Sequence, residues 1–64
     1  MTIDDLYELI EEVEWHQKYL FIVNTEPKLG IDVLEYNSEE VISSEWFNTI
    51  DEAIQYVDEY KENL

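Results

Sequence analysis

Glu12 and His16 stand four residues apart, a spacing that brings a carboxylate and the chain's single imidazole onto one helical face. Such a pair is the start of an acid–base couple or of a metal site, and neither is completed by the rest of the sequence. A zinc-protease helix requires a glutamate where Val13 stands, and a dedicated metal centre requires more ligands at fixed geometry. No Asp/Asn ladder with a central glycine forms a calcium loop. The hydroxyls lack a Gly-rich elbow or a second imidazole, so a nucleophile–base–orienter set cannot be assembled. Paired carboxylates do acid–base work only in a cleft that separates their pKa values, and a domain this small seldom builds one. The expectation is a protein with no catalytic residue, cofactor or metal. His16 is read as a boundary residue at a helix end.

What remains is charge. Seventeen Asp and Glu stand against Lys18, Lys28 and Lys61 with no arginine, a formal net charge of −14 over 64 residues. High net charge keeps a chain unfolded only when apolar content is low. Here 45% of residues are hydrophobic and 14% aromatic, with one Gly and one Pro, so the chain is expected to fold and carry its charge on the surface. A surface of that sign repels nucleic acid and anionic membranes and attracts basic partners. The longest apolar run, Tyr19 to Val23, is too short to span a bilayer, and the acidic amino terminus does not read as a secretory signal. With no cysteine there is no disulfide framework. A cytoplasmic protein is the default.

The elements that position the carboxylates follow from hydrophobic period. Ile3, Leu6, Leu9, Ile10 and Val13 recur at helical spacing and cluster within an arc of about 120°. Thr2 with Asp5 resembles a capping box. Asp4, Glu8 and Glu11 fall opposite the apolar arc, with Asp5, Glu12 and Glu14 flanking it. The segment "KYLFIVNT" then changes to a β pattern, apolar on both sides, which predicts a central strand covered on both faces. "EPKLG" (Glu26 to Gly30) reads as the first turn, "IDVLEY" (Ile31 to Tyr36) as the second strand, and "NSEE" (Asn37 to Glu40) as the second turn. "VISSEWF" (Val41 to Phe47) makes the third strand. Thr49 with Glu52 reads as a full capping box for a last helix, whose stripe is Ile50, Ala53, Ile54, Val57 and Leu64. The prediction is one α+β domain over residues 1–64, α-β-β-β-α, with a three-stranded antiparallel meander and both helices on one sheet face. Trp15 and Trp46 are assigned to the core or its boundary, since a small core needs large side chains.

The first helix is more acidic than stability calls for. Asp4–Glu8, Asp5–Glu8, Glu8–Glu11, Glu8–Glu12 and Glu11–Glu14 are like-charge neighbours at three or four residues, costing about 1–2.5 kcal/mol together. The helix dipole returns part of this at Asp4 and Asp5 but none at Glu14. Solubility or a high-salt proteome would account for a solvated acidic face. Recognition of a basic surface accounts for it differently. A helix sets carboxylates about 6 Å apart along one face, comparable in scale with charges along a nucleic acid backbone. The residues expected to carry such binding are Asp4, Asp5, Glu8, Glu11 and Glu12, and then Glu35, Glu39 and Glu40. Asp51, Asp58, Glu59 and Glu62 would extend the surface. Tyr7, Tyr56 and Tyr60 are either arginine-stacking anchors or the rim of the core.

The α-β-β-β-α order is shared with double-stranded-RNA-binding domains, but "NTIDEA" is acidic where that family contacts phosphate with basic side chains. Its activity does not carry over. In length, lack of cysteine, the helix opened by "IDDLYELI", the short meander and the acidic surface, the chain resembles small phage-encoded inhibitors that mimic nucleic acid. Among these are anti-CRISPR proteins that block Cas9. The resemblance assigns no individual residue. It implies a partner that is a basic, nucleic-acid-binding protein such as a CRISPR effector, occupied where arginines would read guanine edges. The alternative is a small structural or regulatory interaction module with an incidental acidic surface. It would act through apolar or sheet-edge contacts, including self-association by the third strand.

Overall fold

Thr2 opens α1 (Ile3–Glu14) as the sequence requires: its hydroxyl accepts from the Asp5 amide while the Asp5 carboxylate accepts from the Thr2 amide at 2.8 Å. The computed structural model describes residues 1–64, and after α1 come β1 (Tyr19–Asn24), β2 (Leu29–Glu35), β3 (Val41–Phe47) and α2 (Ile50–Glu62). The strands form an antiparallel meander in the order β1-β2-β3. Both helices cover the same sheet face. The fold is the α+β arrangement expected.

Alternation along the strands decides which side chains meet the helices. Phe21, Ile31, Val33 and Phe47 point inward and close on Leu6, Ile10 and Val13 of α1 and Ala53 and Val57 of α2. With three strands between them, α1 and α2 point the same way, and the Glu12–Lys61 ion pair joins their last turns. A chain of aromatic edges seals α2 to the sheet: Tyr60 packs on Tyr19, Phe21 and Tyr56, and Tyr56 on Phe47. Tyr56 and Tyr60 are therefore rim residues of the core.

Four readings are corrected. The strand "KYLFIV" is not central; β1 is an edge strand, β2 is central, and the outer side of β1 leaves Ile22 48% exposed. Two helices suffice for one sheet face, and no further element exists to cover the other. Gly30 lies inside β2 rather than in the turn, paired with Asn24 and Trp46. A Cβ there would meet the Trp46 ring at 2.7 Å, so glycine is present to let the indole lie on the backbone. Trp46 itself is 56% exposed on the uncovered face. Leu64 falls beyond α2 and is largely exposed, outside the stripe assigned to it. The N-cap of α2 is also simpler than its sequence suggests: Thr49 accepts from the Glu52 amide at 3.2 Å, without a return bond from the Glu52 side chain.

The small core makes each large member costly to remove. Leu6, with no exposed surface, is expected to lose about 2–5 kcal/mol as Leu6→Ala. That is a large share of the roughly 3–10 kcal/mol available to a domain of this size. Urea denaturation checks this, with Leu64→Ala expected to change stability by less than about 0.5 kcal/mol. A second expectation concerns Tyr56, whose hydroxyl donates to Ser43 Oγ at 2.6 Å. Burial, opposed by the Ser43 hydrogen bond and reinforced by Tyr60 and Glu45, pushes the phenol from 10.0 up to about 12. The folded state holds this proton more tightly than the unfolded chain, so the contribution is intact below about pH 10 and is lost as pH rises through about 12. In an alkaline absorbance titration one tyrosine should ionise after the other four, and Tyr56→Phe should abolish that late step.

Candidate acidic interface on the first helix

The carboxylates singled out in the sequence divide by what they do in the fold. Asp5 is committed to the Thr2 cap. Glu12 turns toward α2 and pairs with Lys61 at 2.9 Å, which holds the lysine ammonium above its usual range. Glu14 is half-buried, and its Oε2 accepts from the Phe21 amide of β1 at 3.0 Å. Asp4, Glu8 and Glu11 have no intramolecular partner and point outward. Their spacing places them on one stripe opposite Leu6, Ile10 and Val13.

That stripe ends on an aromatic side chain. Trp15 caps α1 in helical geometry (φ −58°, ψ −29°), so it continues the Asp4, Glu8, Glu11 row by one further turn. It is 79% exposed, which overturns its assignment to the core. The signal was in the sequence: at 100° per residue Trp15 falls opposite the apolar arc, among the acids. The size argument for burying tryptophan prevailed over the angular one. His16 packs edge-on against Trp15 at 5.5 Å in the turn after the helix, and Gln17 reverses the chain with φ 59°. Glu12, held by Lys61, and His16, in that turn, do not form a couple. Glu14, Trp15, His16, Gln17 and Tyr36 line a shallow open hollow at this end of the molecule.

The second group of candidates builds a turn. Glu35 accepts from the amides of Asn37 and Ser38 and from the Ser38 hydroxyl, at 3.1–3.3 Å. Glu39 carries φ 59°, a left-handed conformation that a non-glycine residue enters at a cost, and its amide bonds the Glu35 carbonyl. The Glu40 carbonyl accepts from the Glu35 amide. Tyr36 brings this turn to the α1 end of the molecule, but Glu35, Glu39 and Glu40 do not line the hollow. The structure thus joins Asp4, Glu8 and Glu11 into one row and leaves Glu35, Glu39 and Glu40 as a separate patch.

Charge is unevenly distributed. The exposed sides of α1 and α2 carry Asp4, Asp5, Glu8, Glu11, Glu12, Asp51, Glu52, Asp58, Glu59 and Glu62 against Lys61 alone. On the uncovered sheet face the one carboxylate well inside the strands is Asp32. No helix is long and apolar enough to cross a membrane.

Comparison with known proteins places the chain. A family model described as a bacteriophage T4 protein matches residues 1–63. A relative from Enterobacteria phage T4, the "Uncharacterized 7.9 kDa protein in cd-pseT intergenic region", is 30% identical over 64 residues, covering 97% of this chain and 92% of the relative. No solved structure matches. The α-β-β-β-α domain described above belongs to this bacteriophage T4 protein family, a family of small phage proteins.

Proposed function

We propose that this phage protein is a non-enzymatic binder whose α1 face occupies a basic, nucleic-acid-binding surface of a partner protein. The observation that carries the reading is the unpaired row Asp4, Glu8, Glu11 running into Trp15, an indole 79% exposed among carboxylates. A solvated acidic face kept only for solubility gains nothing from a bare tryptophan. An interface gains an anchor, because an indole stacks on a guanidinium and excludes water around the neighbouring ion pairs. Carboxylates one helical turn apart, about 5–6 Å, then stand in for successive backbone phosphates and release counterions on contact.

The family supports the setting of this reading. A phage product meets the nucleic-acid-binding proteins of its host, and a CRISPR effector with its arginine-lined DNA channel is one such target. The −14 charge adds long-range attraction to any basic cleft, which raises association rates at low salt. Asp5, Glu12 and the Glu35–Glu40 turn contribute to that field, while their own hydrogen bonds and ion pair tie them to the fold.

The test is competitive. The tagged protein is incubated with host lysate, bound proteins are eluted by a salt gradient, and each is assayed for displacement of a fluorescent DNA or RNA duplex by the free protein. Displacement should weaken steeply with added salt. Glu8→Lys with Glu11→Lys should lower it at least about tenfold, and should stabilise the isolated fold by a few tenths of a kcal/mol per relieved pair. Trp15→Ala should cost about 2 kcal/mol of binding, roughly thirtyfold. Capture that survives both variants unchanged, or no displacement from any captured protein, overturns the reading.

A further inference from the structure

The sheet has a second face, and it is apolar. Leu20, Ile22, Leu34, Val41, Ile42 and Trp46 lie on the side away from the helices. Leu34 pairs with Leu20 on one side and Val41 on the other and is nearly buried beneath its neighbours. The irregularity between Val33 and Leu34 makes Ile42 the extra residue of a bulge, so Val41 and Ile42 are 60% and 54% exposed in succession. Trp46 lies on the Gly30 backbone rather than free in solvent, and so loses little freedom when covered.

We propose that this face packs against the same face of a second copy, giving a four-layer helix–sheet–sheet–helix homodimer. Charge is the first objection, since each copy carries −14. Its placement answers the objection. With sheets about 10 Å apart and each helix layer about 10 Å behind its sheet, the two acidic layers lie about 30 Å apart. That is more than three Debye lengths at physiological salt, where screening is about 8 Å. Asp32 is the one carboxylate well inside the contact, and Ser44 is its paired neighbour across the strands. A two-fold axis running between β2 and β3 sets each Asp32 against the Ser44 hydroxyl of the other copy, a reciprocal contact of the kind an isologous interface requires.

The size of the face suits a weak dimer. Three strands of about seven residues present on the order of 500 Å² from each copy, or about 1,000 Å² in all, at the lower bound for a specific interface. Pairing through the β3 edge instead leaves all six apolar side chains in water. This proposal is independent of the acidic-face reading, and salt separates them: screening tightens the dimer and loosens the acidic contact.

Sedimentation equilibrium of the full chain between about 5 and 500 µM, at about 0.05 and 0.5 M salt, provides the test. A reversible monomer–dimer transition is expected in the range of about 10–100 µM, shifting to lower concentration at high salt. In a Trp15→Phe background the Trp46 emission should move to shorter wavelength as the dimer forms. Ile42→Glu and Trp46→Glu should stay monomeric with unchanged circular dichroism, while Glu8→Lys should still dimerise. Ile42, exposed at the bulge, keeps the test valid if Trp46→Glu does not fold. A wild-type monomer at every concentration and salt, or dimers that persist in Ile42→Glu, overturns the proposal.

Discussion

The structure depends on two helices sharing one side of a three-stranded sheet. Leu6, Ile10 and Val13 from one helix and Ala53 and Val57 from the other meet Phe21, Ile31, Val33 and Phe47 in a single dry layer. Everything else is arranged around that layer. A chain of 64 residues has enough apolar material to close it and no element left for a second. One sheet face is therefore core and the other is surface, and the helices must carry the charge on their outer sides.

That division gives the molecule two unlike faces. The helix layer is acidic almost without interruption, and its one ion pair, Glu12 with Lys61, ties the two helices together rather than neutralising the row beside it. The sheet face is apolar and nearly uncharged. A random scatter of seventeen acids would not produce this segregation, because the strands contribute carboxylates chiefly at their ends, as at Glu35, or on the helix side, as at Glu45. Each face offers a different kind of recognition, one through long-range attraction and one through contact.

Much of the fold was legible because local signals agreed with the global arrangement. The Thr2–Asp5 box, the Ile3-to-Val13 stripe and the Val41–Phe47 strand are each set by nearby residues, and each holds in the structure. Quantities that depend on distant partners were less accessible. The apolar alternation of Leu20 and Ile22 reads as two-sided burial, yet whether a second layer exists is decided by the whole chain. Gly30 reads as a turn residue until Trp46, sixteen positions later, is seen to need its missing Cβ. Of the acidic candidates, the sequence placed Asp4, Glu8 and Glu11 on one row by angle alone. It could not reveal that Glu12, Glu14 and Glu35 spend their carboxylates within the molecule, since those bonds reach a second helix, a strand amide and a turn.

The Glu14 carboxylate on the Phe21 amide has a consequence for assembly. It occupies a main-chain donor near the middle of one border of the sheet, where an incoming strand would have to bond. The opposite border, along β3, has no such stopper. Fibrous growth requires every added molecule to receive a neighbour on both sides, and this one is blocked on the first. A single acid at the end of a helix thus leaves the molecule able to accept one strand and unable to become a link in a chain.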